Sequence, residues 1–178
     1  TWTKLNTHTT DDLYAVSFLG TSTGYVCGES FSTMKTTNGG TTWTVKKFSR
    51  ASKIKSIHAY NSSNVIGVGD SILFRTADSF SEITYKSLGI LNCLFYSPSA
   101  NNCWMVGNVG VIYKVTGFID ITYQISGTTE DLLGVHFPSA TLGFVVGKNG
   151  TILKTTNGGS TWSSLASGVS VDLHSVFF

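Results

Sequence analysis

A nine-residue string occurs twice in this chain. Lys35-Thr36-Thr37-Asn38-Gly39-Gly40-Thr41-Thr42-Trp43 returns as Lys154-Thr155-Thr156-Asn157-Gly158-Gly159-Ser160-Thr161-Trp162. A duplication of this kind means a repeat architecture, in which each unit buries its apolar surface against its neighbours. A second signature sets the period. Asp12-Leu13-Tyr14-Ala15-Val16-Ser17-Phe18 matches Asp131-Leu132-Leu133-Gly134-Val135-His136-Phe137 and again Asp172-Leu173-His174-Ser175-Val176-Phe177-Phe178. Weaker copies lie at residues 54–60 and 91–96. The equivalent aliphatic residues Val16, Ile57, Leu94, Val135 and Val176 are spaced 41, 37, 41 and 41 apart. No helical periodicity is sustained, so a period near 40 excludes helical repeats and points to propeller blades.

Each unit divides into four short strands. The first is the Leu-x-x-Val-x-Phe segment. The second is Gly24-Tyr25-Val26-Cys27-Gly28, with counterparts at residues 65–69, 103–107 and 143–147. The third is Thr33-Met34-Lys35-Thr36, with counterparts at residues 73–76, 112–115 and 152–155, and the fourth begins at the Trp of the duplicated string. Asn149-Gly150 is a two-residue hairpin signal, since both central positions of that turn need positive φ. The predicted fold is an all-β propeller of four-stranded blades. The continuous apolar runs Phe144-Val145-Val146 and Trp104-Met105-Val106 fit blades covered on both faces.

The duplicated string has a mechanical reading at the hairpin between third and fourth strands. Asn38 and Asn157 bond the backbone of their own turn. The glycine pairs allow φ values that strain other residues. Trp43 and Trp162 pack beneath the turn or between blades, and truncating either to Ala is expected to cost about 3–5 kcal/mol.

Thr36-x-Asn38-x-Gly40-x-Thr42-Trp43 and Thr155-x-Asn157-x-Gly159-x-Thr161-Trp162 resemble the Asp-box, the bacterial neuraminidase repeat, with Asn in the acidic slot. With the other strand signatures, the whole repeat resembles the photosystem II stability/assembly factor-like propellers. The resemblance covers essentially the whole chain. In the second and third repeats the box degrades to Thr76-Ala77-Asp78-Ser79-Phe80 and Val115-Thr116-Gly117-Phe118, without paired glycines or Trp. Those turns are expected to differ in shape.

The expected organisation is one propeller, or propeller segment, over residues 1–178. Four complete blades fall at about residues 12–52, 53–90, 91–130 and 131–170. Residues 1–11, with Thr1-Trp2-Thr3 as the tail of a box, and residues 171–178 are expected as an orphan strand at each end, belonging to a further incomplete blade. An unpaired edge is normally covered. The expectation is therefore a segment of a longer propeller, or end strands that pair with another chain.

Composition narrows the function. Of the chain, 41% is hydrophobic and 12% charged, with a net charge of +2 and no basic run longer than Lys46-Lys47. That excludes the concentrated basic footprint of nucleic-acid binding. No apolar run reaches the length of a membrane span. The spacing of Cys27, Cys93 and Cys103 fits no zinc or redox motif. Cys93 and Cys103 flank one predicted hairpin loop and are the candidate disulfide of a secreted chain; otherwise all three are small buried hydrophobes.

Chemistry finds little support. The resemblance to sialidases through the box implies three arginines, a Tyr-Glu pair and an acid. The chain is very poor in arginine, Arg50 and Arg75 among them, and neither sits on a channel-lining strand. Asp12, Asp131 and Asp172 recur at one repeat position, which reads as a turn cap rather than a glycosidase acid pair. His58 and His136 occupy equivalent inner-strand positions without further metal ligands. Gly147-Lys148-Asn149-Gly150 and Gly107-Asn108-Val109-Gly110 are hairpin turns, since no helix follows to cradle a phosphate. Asn61-Ser62-Ser63 and Asn149-Gly150-Thr151 are N-glycosylation sequons in predicted loops.

The sequence therefore predicts no catalytic residue, metal or cofactor. It predicts a non-enzymatic scaffold or recognition propeller of an extracellular or cell-surface protein, outside the cytoplasm, binding a protein partner. Two other readings stay open: a structural subunit of an extracellular fibre in which copies join through their end strands, and a glycan-binding or glycan-processing module.

Overall fold

The computed structural model describes residues 3–46, 52–70, 72–77, 82–97, 101–117 and 120–178. Thr1-Trp2, Arg50, residues 78–81 of the second box and Phe118 lie outside them. The chain forms two compact units, Thr1–Leu88 and Gly89–Phe178.

The first unit holds two sheets. β1 (Leu13–Leu19), β2 (Thr23–Gly28), β3 (Thr33–Thr36) and β4 (Thr44–Lys46) form one, in chain order. β5 (Ile54–Ala59), β6 (Val65–Gly69), β7 (Ile72–Ala77) and β8 (Glu82–Lys86) form the other. The second unit repeats the plan. Its third sheet is β9 (Leu91–Ser97), β10 (Asn102–Gly107), β11 (Ile112–Thr116) and β12 (Asp120–Gln124). Its fourth is β13 (Leu132–His136), β14 (Gly143–Gly147), β15 (Ile152–Thr155) and β16 (Ser163–Leu165). Every pairing is antiparallel between chain neighbours, the meander of a propeller blade.

One device recurs in each sheet. The register slips once near the start of the innermost strand, at Leu13/Ala15, Ile54/Ser56, Leu91/Cys93 and Leu132/Gly134. The bulge aims a carbonyl just ahead of the strand at the turn following the second strand. Glu29, Asp70, Asn108 and Lys148 donate their amides to the carbonyls of Asp12, Lys53, Ile90 and Asp131 at 2.9, 3.0, 3.0 and 2.9 Å. The second strand ends at each place in glycine: Gly28, Gly69, Gly107 and Gly147. A Cβ there would run into that same carbonyl oxygen. The glycine that closes the second strand is thus a steric requirement of the bulge.

Sheets pack face to face inside each unit. In the first, Tyr25 and Cys27 of β2 lie against Ile54, Ile57, Ala59 and Val65 of the second sheet. In the second, Trp104, Val106 and Ile112 meet Leu132, Val135, Phe137, Val145 and Leu153. The expected Asn149-Gly150 turn forms, with φ of 52° and 68°.

Residues 171–178, expected as an orphan first strand, are not assigned as a strand. Residues 3–12 likewise hold no strand. The later segment still follows the repeat. The Gly150 amide donates to Val171 O at 2.8 Å as Gly110 donates to Glu130 O at 2.9 Å. Asn149 donates to Asp172 Oδ1 as Val109 donates to Asp131 Oδ1.

The expected Cys93–Cys103 bridge is corrected. Cys27 and Cys103 are buried and Cys93 is half-buried. Cys93 pairs with Val106 while Cys103 pairs with Tyr96, three ladder positions away. At about 3.4 Å per residue the two α-carbons are about 10 Å apart along the sheet, and the odd offset puts their side chains on opposite faces.

Two measurements check this account. Gly147→Ala should destabilise the chain by about 3 kcal/mol in urea unfolding, because the bulge carbonyl must move. Thiol titration of the denatured chain should count three thiols, and reductant should leave the melting temperature unchanged.

Candidate functional site: the cross-sheet rows that grip main chain

Residues directly opposite one another on neighbouring strands share a face. Ser17, Tyr25 and Lys35 form such a row across β1, β2 and β3. All three grip the backbone of the adjacent sheet. Ser17 Oγ accepts from the Ala59 amide at 3.0 Å. Tyr25 OH and Lys35 Nζ both donate to Ser62 O, at 2.6 and 3.0 Å. The ammonium lies 5.5 Å above the Tyr25 ring centre, a cation–π placement that holds it over the sheet.

The third sheet has the same row in Phe95, Trp104 and Lys114. Phe137 stacks on Trp104 with centroids 3.6 Å apart. Lys114 Nζ lies 5.5 Å above Trp104 and donates to Gly158 O at 3.2 Å. The fourth sheet carries His136, Phe144 and Lys154. Lys154 Nζ stands 5.8 Å over Phe144, and among the described residues no acceptor meets it. His136 is only 8% exposed, its Nδ1 is buried without a partner, and burial pulls its pKa below the ordinary value. Phe177 and Phe178 lie against this row, at 4.9 Å from His136 and 4.4 Å from Phe144. Donors set over aromatic rings recognise main-chain carbonyls of a polypeptide laid on the sheet.

An open groove of about 1030 Å³ lies elsewhere in the second unit, between residues 126–128, the Asn149-Gly150 turn and residues 164–171. Ser126, Thr128, Thr151, Ser164 and Ser167 give it hydroxyls, and Trp162 gives it an aromatic wall. Its lining has no charged side chain. β16 runs along it and, among the described residues, pairs with β15 alone.

The two box turns, at the β3–β4 and β15–β16 hairpins, are alike in detail. Thr36 Oγ1 accepts from the Gly40 amide, and Thr155 Oγ1 from Gly159, both at 2.9 Å. Asn38 Oδ1 accepts from the Thr42 amide and Asn157 Oδ1 from Thr161, again at 2.9 Å. The Asn amides donate to the Thr42 and Thr161 hydroxyls at 2.9 and 2.8 Å. Gly40 and Gly159 sit at φ of 90° and 86°. Trp43 meets Phe18 edge-on at 6.3 Å, and Trp162 meets Phe137 at 5.9 Å. The bracing Thr and Asn side chains of these turns bond within the turn, while the Gly158 carbonyl takes Lys114 from the third sheet.

The other residues singled out in the sequence are dispersed. Asp131 accepts from the Val109 amide through Oδ1 and pairs with Lys148 at 2.8 Å through Oδ2. Asn61 Oδ1 takes the Ser63 and Asn64 amides, and Asn149 Nδ2 donates to Glu130, both asparagines being exposed. His58 is partly buried, and its pKa is lowered by burial. Burial pushes the Cys27 thiol up to about 12, which leaves it unreactive. Among the described residues no group of His, Cys, Asp or Glu is placed to hold a metal ion, and no helix is long and apolar enough to cross a membrane. Sequence reasoning missed the rows. Their signal was present as the Lys or Arg recurring at Lys35, Arg75, Lys114 and Lys154 on each third strand.

Thr155→Val should cost about 1–3 kcal/mol in chemical unfolding, since it strands the buried Gly159 amide. Asn157→Asp should shift the midpoint little, because Thr161 can turn its hydroxyl to donate instead.

The model of the family described as Photosynthesis system II assembly factor YCF48 matches residues 1–117. No curated protein sequence matches. The structure described as YCF48 bound to D1 peptide is similar over 98% of this chain and 89% of that one, at 13% identity and a TM-score of 0.57. YCF48 from Cyanidioschyzon merolae is similar over 93% of this chain, at 15% identity and a TM-score of 0.70, and this chain spans 60% of its length. The GH74 enzyme of Niastella koreensis matches over 83% of this chain and 28% of its own, at 15% identity and a TM-score of 0.65. At such identities the likeness is one of fold.

Proposed function

The chain belongs to the Photosynthesis system II assembly factor YCF48 family, and on that premise we propose that it is a non-enzymatic scaffold propeller that binds a polypeptide partner outside the cytoplasm. The observation that carries this reading is a family relative of the same fold, described as bound to D1 peptide. The chain's own chemistry agrees with it. Its rows are built to hold main chain, and its groove offers hydroxyls, an aromatic wall and the free edge of β16. An extended peptide laid there adds a strand to β16 and bonds the flanking serines and threonines. The groove carries no charge, so the partner segment is neutral or weakly charged where it docks.

The D1 peptide held by the related structure is the probe. Calorimetric titration into this chain should give saturable binding. Ser164→Glu, which places an unpaired carboxylate in the groove, should weaken it at least about tenfold. Absence of binding would remove the peptide reading, and binding indifferent to Ser164→Glu would move the site away from the groove.

A further inference from the structure

The groove beside β16 does not stop at Trp162. Two stretches of chain bound it. Residues 126–128, leaving β12, form one bank, and residues 164–171 form the other. Followed back along the chain, both banks reach one crossing point, where Trp162 Nε1 donates to Gln124 Oε1 at 3.3 Å. Beyond the crossing lies a second open cleft of about 460 Å³, between residues 122–125 on one side and Gly159-Ser160 on the other. The two clefts therefore share the same banks, in the same order. β12 and β16 are each the last strand of a four-stranded sheet, so this trough lies between two complete sheets inside the second unit.

Donors outnumber acceptors at the crossing. Lys114 and Thr122 pair across β11 and β12, and Gln124, two residues on, shares their face. Lys114 Nζ is already given to the Gly158 carbonyl at 3.2 Å. Gln124 lends its oxygen to the Trp162 indole, which fixes the way its amide points. Its Nε2 meets no acceptor among the described residues. The Trp104 ring under Lys114 is fully buried, and its indole N–H lies against Gly159 without a partner. Gly159 itself keeps the space open, since a side chain there would strike Gln124 Oε1.

We propose that the two clefts are one track. A polypeptide segment paired along the free edge of β16 continues past Trp162 into the second cleft, and Gln124 Nε2 donates to one of its main-chain carbonyls. The proposal rests on the peptide reading above and adds to it the residue that sets the register of the bound segment. The occupant is main chain because what the crossing lacks is an acceptor. An extended segment following β16 carries carbonyls past that point at regular intervals. The hydroxyls of the groove rotate to suit many partners, whereas a half-buried amide held by an indole offers its donor in one direction.

Calorimetric titration of the D1 peptide held by the related structure into variants of the 178-residue chain tests this. Gln124→Glu keeps the oxygen that Trp162 needs and exchanges the open donor for a second oxygen. It should weaken binding at least about tenfold and leave the melting temperature unchanged. Thr122→Trp, at an exposed position in the second cleft, should weaken binding by obstruction without touching the Trp162–Gln124 bridge. Peptides carrying single backbone esters, whose carbonyls accept poorly, read the contact itself. One ester position should cost affinity for the unaltered chain and cost nothing further for Gln124→Glu. Affinity that falls with Ser164→Glu yet is indifferent to both Gln124→Glu and Thr122→Trp overturns the inference and leaves the peptide reading standing. An unaltered chain that does not bind the peptide removes both.

Discussion

Four carbonyl groups set the geometry of this protein. Those of Asp12, Lys53, Ile90 and Asp131 each enter a space that only a glycine leaves open, and each takes an amide at the start of the next turn. The hydrogen bond fixes the bulge, and the bulge fixes which residues of the innermost strand face each way. A slip by one residue would exchange the two faces of a sheet. Ser17, Tyr25 and Lys35 would then point away from the backbone they hold. The packing of Trp104 against Phe137 depends on the same register in the second unit.

Given that register, sheet packing follows from area and from direction. Rings such as Tyr25, Trp104 and Phe137 supply the apolar burial that makes face-to-face contact favourable. Burial alone does not say how far one sheet sits along the next. The lysines do, because an ammonium held over a ring is aimed at a particular carbonyl, that of Ser62 for Lys35 and that of Gly158 for Lys114. Surface ion pairs such as Lys53–Glu29 and Lys55–Asp70 add little beside this.

Much of the architecture was legible in the chain itself. The spacing of Val16, Ile57, Leu94, Val135 and Val176 counts the repeats, and Asn149-Gly150 marks a turn that forms with both φ values positive. The third-strand lysine was visible as a recurring letter. Its role was not, because the ring beneath it and the carbonyl beyond it come from other strands and, for Gly158, from another repeat. The cysteines misled for a related reason. Cys93 and Cys103 are close in sequence around one hairpin, but alternation along a strand separates them by face. A hairpin predicts nearness of backbones, not of side chains.

The box turns have a further consequence. Their bracing groups are asparagine amides and threonine hydroxyls, none of which gains or loses a proton across the biological range. A carboxylate at Asn38 or Asn157 would have tied each hairpin to acidity and ionic strength. With a neutral amide in that slot, the braces hold equally in an acidified compartment or a salt-rich one. Sensitivity to acid is left to groups such as His58 and His136, which burial keeps neutral.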